Sequence, residues 1–171
     1  LWYGISPLLT VGRDDKTIMR RTSSTLTTTS AEETRALGRA LAKRLRGGDV
    51  VALHGDLGSG KTTLVQGIAH GLGVKRTVNS PTFILMRVYP VRPARHGIKQ
   101  LVHVDGYRIR DEREFDGIGL ADYLGRPDTV TVIEWPKPTQ YASTAWQVSL
   151  TAGAKPDERR INIAPPPRHQ P

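Results

Sequence analysis

The stretch HGDLGSGKTT, residues 54–63, decides the fold expected of this chain. From Gly55 to Thr62 it fits the pattern G-x-x-x-x-G-K-[ST], and the apolar run VVAL comes directly before it. A phosphate group needs several backbone N–H groups aimed at one point, and a glycine-rich turn that opens a helix supplies them together with the helix dipole. The sequence therefore predicts a strand, a phosphate-binding loop and a helix in that order, with a purine nucleoside triphosphate as the ligand.

Two side chains of this loop have expected roles. We expect Lys61 to reach the β- and γ-phosphate oxygens and the hydroxyl of Thr62 to bind Mg²⁺. A glycine turn that only connects a strand to a helix would not require a lysine and a threonine at these positions. The pattern therefore favours nucleotide binding over a simple connection.

Two acidic residues follow apolar runs that read as strands. LVHVD ends at Asp105, and VTVIE ends at Glu134. Open α/β sheets bind ligands at the carboxyl ends of their strands, so one carboxylate suits Mg²⁺ and the other suits a water that attacks the γ-phosphorus. A helix cap or a turn would also place an acid at a strand end. Beside a phosphate loop, the catalytic interpretation is favoured for Lys61, Glu134 and Asp105.

The chemistry of the bound nucleotide has two interpretations. The chain has no Asn-Lys-x-Asp motif, which usually reads guanine, so ATP is the expected nucleotide. A small kinase that phosphorylates a metabolite would need an arginine-rich lid, and RVYPVRPARHG at 87–97 has the composition of one. The same stretch also suits a solvated loop, and the alternative of a P-loop phosphotransferase stays open.

The rest of the chain reads as alternating strands and helices. A capping box of Ser30 and Glu33 begins a helix that ends before Gly47, and a second helix covers 61–72. Residues 112–124 read as a short helical stretch interrupted by two glycines, and 89–97 reads as a proline-rich loop. Strands are predicted at 25–28, 49–53, 83–89, 100–105, 129–134, 146–151 and 160–163.

This order predicts an α/β fold of P-loop NTPase type, with three layers and a central mixed, mostly parallel sheet flanked by helices. We expect a flexible N-terminal extension at 1–24, the ATPase domain at 25–164 and a proline-rich flexible tail at 165–171.

Composition narrows the class of protein. The chain has 171 residues, no cysteine and a formal net charge of +9. Disulfides and thiolate metal sites are excluded, no apolar run has the length of a membrane span, and the start lacks a signal-peptide pattern, so a cytoplasmic location is expected. The basic excess suits either RNA phosphate or a solvated surface.

Three further motifs point to a known family. SPTF at 80–83, HVDGYRIRD at 103–111 and VIEWPK at 132–137 accompany GDLGSGKTT and the helix SAEETRALGRALA in this order. Over residues 26–163 the chain closely resembles the TsaE (YjeE) family, the bacterial ATPase of tRNA threonylcarbamoyladenosine synthesis. The loop at 89–97, the proline-rich tail and the strongly basic charge depart from that family.

The resemblance implies an ATPase that is weak alone and acts with a threonylcarbamoyl transferase subunit (TsaD-like) and its non-catalytic paralogue (TsaB-like). ATP hydrolysis would reset that complex between turnovers, and tRNA would be met through the complex, with no membrane involved.

The resemblance also assigns site residues. Glu134 would be the metal-linked catalytic carboxylate, assisted by Asp105, with Thr62 on the metal. Ser80 and Thr82 would form a switch-like loop near the γ-phosphate. Trp135 would lie by the nucleotide, although core packing alone would also explain it. Tyr107 and Arg108 would face a partner or be structural. Thr34 and Arg159 would contact the base or ribose. The phosphate cradle would comprise Gly55, Asp56, Leu57, Gly58, Ser59, Gly60, Lys61, Thr62 and Thr63.

Overall fold

A computed structural model describes residues 9–10, 23–137 and 143–167. Its helices are Ala31–Ala42 (α1), Lys61–Leu72 (α2) and Glu112–Gly117 (α3), followed by a short 3₁₀ turn at Leu120–Asp122. The strands are Leu9–Thr10 (β1), Ser24–Thr28 (β2), Val50–His54 (β3), Met86–Arg95 (β4), Ile98–Asp105 (β5), Thr129–Glu134 (β6), Trp146–Ala152 (β7) and Arg159–Ala164 (β8).

The strands form a single mixed sheet in the order β1-β2-β8-β7-β3-β6-β5-β4. Its centre is parallel, because β3 pairs in parallel with β6 and β7, and β6 pairs in parallel with β5. The pairs β4–β5, β7–β8 and β2–β8 are antiparallel. The central parallel strands end at one edge, where β3 leads into the phosphate loop.

Helices and loops cover both faces of the sheet. On one face, α1 and α2 cover the sheet, and their side chains Leu41, Leu64 and Ile68 are buried in one cluster with Val132 of β6. On the other face, the segment around α3 and the 3₁₀ turn places Ile118, Tyr123 and Leu124 against a smaller cluster: Val50, Ala52, Val102, Val104, Ile109, Leu120, Ile133 and Ala145. Both clusters flank the sheet, so the predicted three-layer α/β fold is confirmed.

Most predicted elements occur with small shifts of their ends. The helix α2 and the strand β6 have the predicted bounds. Helix α1 ends at Ala42, and Leu45 beyond it is buried in the connection to β3. The predicted helical stretch 112–124 consists of α3, which ends at Gly117, and the 3₁₀ turn, which follows Gly119.

The prediction of a proline-rich loop at 89–97 is wrong. Strand β4 continues to Arg95, pairs antiparallel with β5 and shifts register between Pro90 and Arg95. It lies at the end of the sheet with one neighbouring strand, and such an edge tolerates residues that lack an N–H. His96 and Gly97 both have positive φ, which closes a tight two-residue hairpin turn.

The predicted domain bounds, 1–24, 25–164 and 165–171, stay predictions. The two-residue strand β1 pairs with β2 and lies inside the proposed extension. Most of that extension, and residues 168–171 of the tail, lie outside the described residues. Within the described part of the chain, no helix is long and apolar enough to cross a membrane.

Candidate nucleotide-binding site

The loop between β3 and α2 has the backbone that its glycines allow. Gly55, Gly58 and Gly60 have φ values of 139°, 76° and 99°, a region that other residues rarely adopt. A Cβ at Gly55 would also lie 2.3 Å from the carbonyl oxygen of Leu150, so both the backbone conformation and the lack of space require glycine there. Gly60 precedes Lys61, the first residue of α2, so the loop opens onto a helix N-terminus as predicted.

Lys61 is buried inside the curve of the loop. Its Nζ donates to the carbonyl oxygens of Gly55 and Asp56, each at 2.8 Å, and lies 4.0 Å from the ring centroid of Trp135. Burial lowers the pKa of Lys61, while the nearby carboxylates of Glu134, Asp105 and Asp56 act in the opposite direction. The ammonium group is therefore held by carbonyl dipoles and an aromatic face at the base of the pocket.

Glu134 joins the loop to the end of β6. The Thr62 hydroxyl lies 2.9 and 3.1 Å from the two carboxylate oxygens of Glu134 and donates to them. Glu134 is only 3% exposed, and its Oε1 also accepts from Nε2 of His103 at 2.9 Å. The structure thus brings together the loop hydroxyl and a strand-end carboxylate, the pair expected from the sequence.

Asp105 lies beside Glu134, since the two residues are paired in the β5–β6 register. The hydroxyls of Ser80 and Thr82 both donate to its Oδ2, at 2.5 and 2.6 Å, and the Tyr107 N–H donates to Oδ1. Burial alone would raise the pKa of Asp105, but these hydrogen bonds outweigh it and hold the pKa below its ordinary value. The loop at 80–82 is therefore fastened to Asp105.

These groups line one open pocket of about 370 Å³ at the carboxyl edge of the sheet. Of the predicted site residues, it contains Leu57, Gly58, Gly60, Lys61, Thr62, Thr63, Ser80, Thr82, Asp105, Glu134 and Trp135, and Tyr107 also lines it. Gly55, Asp56 and Ser59 do not line this pocket and instead form the part of the loop that holds Lys61. The predicted phosphate and carboxylate residues are thus collected in one place.

Thr34 and Arg159 lie in a second, smaller depression of about 120 Å³. Gly58, Gly60 and Thr63 line both depressions, so the loop separates them. Thr34 is buried, and its hydroxyl is hydrogen-bonded to Thr28 and to the carbonyl oxygen of Ser30. Contact of Thr34 and Arg159 with a base or ribose stays a prediction.

Trp135 has an unusual backbone for a bulky residue. Its φ is 55°, and its N–H donates to the carbonyl oxygen of Leu53 at 3.1 Å. The half-buried ring lies 5.1 Å from the ring of Tyr107, centroid to centroid, and covers Lys61. Trp135 therefore forms a wall of the pocket rather than a part of either buried cluster.

His103 is a site residue that the sequence analysis did not single out. Its imidazole is fully buried, and because a carboxylate only accepts, Nε2 donates to Glu134. Nδ1 has no hydrogen-bond partner among the described residues. The signal available in the sequence was spacing, since residues two apart in a strand, here 103 and 105, share one face of the sheet.

The oxygen atoms of the pocket suit Mg²⁺. Thr62, Glu134 and Asp105 provide a hydroxyl and two carboxylates, which are the hard ligands that this ion prefers. The described residues contain no cluster of three or more His, Cys, Asp or Glu side chains that could hold a metal. Mg²⁺ is usually bound through one or two carboxylates, with waters and substrate phosphates as its other ligands.

Comparison with known proteins places these features in a family. The model of the family "Threonylcarbamoyl adenosine biosynthesis protein TsaE" matches residues 28–161. The tRNA threonylcarbamoyladenosine biosynthesis protein TsaE of Bacillus subtilis is 43% identical over 108 residues, which cover 63% of this chain and 63% of that protein. The protein of the same name from Streptomyces coelicolor is 48% identical over 102 residues, covering 59% and 66%.

Coverage differs among the relatives. The match spans less than two thirds of the Bacillus and Streptomyces proteins, but for the Treponema pallidum TsaE, 35% identical over 136 residues, it covers 79% of this chain and 96% of that protein. A crystal structure of Bacillus subtilis YdiB superposes with a TM-score of 0.63 and 30% identity, covering 82% of this chain and 84% of that one. Since the family model spans most of the chain, the chain belongs to the TsaE family.

Proposed function

We propose that this chain is a Mg²⁺-dependent ATPase subunit required for the threonylcarbamoyladenosine modification of tRNA next to the anticodon. Its ATP hydrolysis resets the threonylcarbamoyl transferase complex between turnovers. The pathway is supported by the family and by the names of the relatives. Hydrolysis is supported by the site, and above all by the contact of Thr62 with Glu134.

The contact between Thr62 and Glu134 is the main support for ATP hydrolysis, because it joins the phosphate loop to the end of a different strand, β6. A glycine loop by itself can bind a phosphate. Phosphoryl-transfer sites have in addition a carboxylate, at the end of a neighbouring strand, close to the loop hydroxyl. Glu134 is held in this position from the other side by His103. The carboxylate is thus oriented in a mostly buried site, where its charge has most effect.

The residues have distinct proposed roles towards ATP and Mg²⁺. The loop from Gly55 to Thr63 binds the phosphates, and Lys61 neutralises their charge after exchanging its bonds to the loop carbonyls. Thr62, Glu134 and Asp105 hold Mg²⁺, which when bound neutralises charge on the phosphate oxygens. Ser80 and Thr82 report on the γ-phosphate through Asp105, to which both are bonded.

The proposed partners are a TsaD-like transferase subunit and its TsaB-like paralogue, acting in the cytoplasm. Large exposed apolar side chains lie around the nucleotide end of the molecule: Leu57, Phe83, Ile84 and Tyr107. Leu57 and Tyr107 line the pocket, and Phe83 and Ile84 follow Thr82 directly. Such groups on the rim of a site are typical of a protein interface, which would let partners act on hydrolysis.

The alternative of a small-molecule kinase loses its main support in the fold. The arginines proposed for its lid lie on β4, and Arg92 and Arg95 line a depression at the opposite end of α2 from the phosphate loop. No arginine lines the larger pocket beside the loop. The ATPase interpretation therefore fits the described residues better than a phosphotransferase with an arginine lid.

ADP release from Mg-ATP tests the proposal. We expect slow release by the purified chain alone and a marked rise when both partner proteins from the same organism are added. Lys61→Ala should lose ATP binding, since the ammonium is the main cation of the loop. Glu134→Gln should keep ATP binding but lose about a hundredfold or more of hydrolysis.

The variants separate the parts of the proposal. Full hydrolysis by Glu134→Gln would contradict the role of this carboxylate, and unchanged ATP affinity in Lys61→Ala would contradict the site. Partner proteins that leave the rate unchanged would contradict the role in the complex. ADP formation that depends strictly on a small acceptor would instead establish a phosphotransferase.

A further inference from the structure

A strongly basic groove lies at the end of the molecule away from the nucleotide pocket. It consists of two adjoining depressions of about 370 Å³ each, which share Arg39, His70 and Lys75. No aspartate or glutamate lines either depression. The cations that line this basic groove include Arg39, Lys43, Lys75, Arg76, Arg92 and Arg95, contributed by α1 and its C-cap, by the loop after α2 and by β4.

The carboxylate of Glu32 lies at the edge of this set of cations. Glu32 forms salt bridges with Arg39 at 2.8 Å and with Arg35 at 3.1 Å, at the outer edge of the groove. Lys75, Arg76 and Arg92 are exposed and form no salt bridge with a described carboxylate. The described salt bridges therefore leave Lys75, Arg76 and Arg92 unneutralised, and these three cations keep the groove positively charged.

The fold holds part of the groove in place. The Arg95 guanidinium donates to the carbonyl oxygen of Gly71 at 2.6 Å, which ties β4 to the end of α2. Val74 and Val78 are buried on either side of Lys75 and Arg76, so the loop between them is anchored while its two cations face outward. Groups fixed before binding lose less entropy when a ligand arrives.

The helix dipole does not account for this arrangement. Cations near a helix C-terminus are modestly stabilising, which explains a basic residue in the last turn of α1 or α2. That effect falls off within a turn, whereas Lys75 and Arg76 lie beyond the C-cap glycine, and Arg92 and Arg95 come from a strand. The convergence of these cations on one groove therefore needs another explanation.

We propose that the basic groove binds the phosphate backbone of RNA. Guanidinium groups match phosphate geometry, and several cations from different elements bind a polyanion by releasing its counterions. An acidic protein face is less favoured, because protein interfaces usually combine arginines with aromatic anchors, and no described tryptophan, tyrosine or phenylalanine lines the groove. The large exposed hydrophobic side chains of the described residues, Leu57, Phe83, Ile84 and Tyr107, lie at the nucleotide end instead.

The basic groove lies at the far end of α2 from the nucleotide pocket. Helix α2 begins at Lys61 and ends at Leu72, so its two ends lie about 18 Å apart at 1.5 Å per residue. The proposal rests on the charges of the groove and goes beyond the proposed function, in which tRNA is met only through the partner complex. It therefore stands or falls independently of ATP hydrolysis.

Fluorescence anisotropy of an end-labelled tRNA transcript, titrated with the full chain, tests the proposal. We expect the logarithm of the binding constant to fall with the logarithm of salt concentration between about 50 and 300 mM, with a slope of about −3 to −5. Lys75→Glu/Arg76→Glu should weaken binding about tenfold or more and reduce the slope by about 1–2. The matched control, Arg113→Glu/Lys155→Glu, makes the same change in net charge outside the groove and should bind nearly as the wild type does.

Binding of Mg-ATP and thermal unfolding, measured on each variant, show that the fold and the nucleotide site remain intact. If the double variant fails to fold, Arg92→Glu provides the same test on an exposed residue of β4, with an expected loss of about threefold or more. Equal binding by groove and control variants, or no binding by the wild type at the lowest salt, would overturn the proposal. Polyglutamate that displaces the labelled RNA as well as unlabelled tRNA does at equal charge would overturn it too, in favour of an acidic protein.

Discussion

The carboxylate of Glu134 has a second fixed partner in His103, and this contact is testable at the level of one residue. His103→Ala removes the Nε2 donor that lies 2.9 Å from Glu134 and leaves the carboxylate oriented by Thr62 alone. We predict that kcat for ATP hydrolysis falls about tenfold to a hundredfold while KM for ATP changes little, since His103 does not line the pocket. His103→Gln, whose amide also donates, should recover part of kcat.

Steady-state ATP hydrolysis in the presence of the partners measures both constants, and thermal unfolding serves as the control. Both variants lose a buried ring and should be less stable, so a change in stability does not distinguish them. If kcat stays at the wild-type value in His103→Ala, or if Gln and Ala lower it equally, His103 is a core residue and does not position Glu134.

The sequence identified the loop residues and the two strand-end acids because their roles depend on local order along the chain. Lys61 and Thr62 belong to a motif, and Asp105 and Glu134 each follow an apolar run. The role of His103 depends on Glu134, a residue of a neighbouring strand, and thus on how β5 and β6 are aligned. Strand register across long connections is not written in local sequence, so spacing could place His103 on the same face as Asp105 but could not predict its contact with Glu134.

At the scale of elements, the packing of α1 against α2 depends on glycines. A Cβ at Gly67 would lie 2.2 Å from the carbonyl oxygen of Arg35, and one at Gly38 would lie 2.4 Å from that of Leu64. We predict that Gly67→Ala lowers the free energy of unfolding by about 1–3 kcal/mol, although alanine favours the helix itself by about 1 kcal/mol. Urea denaturation followed by circular dichroism measures the change.

Gly117 provides the matched control for this prediction. It ends α3, and a Cβ there would meet no atom within 4 Å. Gly117→Ala should therefore leave the stability unchanged or raise it by less than about 1 kcal/mol. A Gly67→Ala protein as stable as the wild type would mean that the two helices separate at no cost, contrary to the close contact.

The elements also show where pattern reading succeeds and fails. Helix α2 was predicted with its observed bounds because its apolar spacing and flanking glycines agree with the tertiary contacts, and strand β6 because its β-branched run is buried along its whole length. Strand β4 was mistaken for a loop in its second half because prolines usually end strands. Its position at the sheet edge removes that objection, and edge position is a property of the whole sheet rather than of the segment.

At the scale of the whole molecule, the surfaces at the two ends of α2 differ in chemical character. Exposed apolar side chains lie around the nucleotide pocket, and exposed cations converge at the other end of α2. Overall charge, +9, was visible in the sequence, but its concentration in one groove was not. The groove assembles residues far apart in the chain, from Arg39 to Arg95, so only the fold could bring them together.

This division predicts that stimulation by partner proteins and binding of RNA are lost through different substitutions. Phe83 and Ile84 are 85% and 53% exposed and follow the loop that is bonded to Asp105. We predict that Phe83→Ser/Ile84→Ser leaves ATP hydrolysis by the chain alone unchanged but lowers its stimulation by the proposed transferase subunit and paralogue about tenfold, because exposed aromatic anchors contribute strongly to such interfaces. The groove variant Lys75→Glu/Arg76→Glu is the control and should keep that stimulation. Stimulation that survives the first pair and disappears in the second would place the partners on the basic groove and remove the division of the surface.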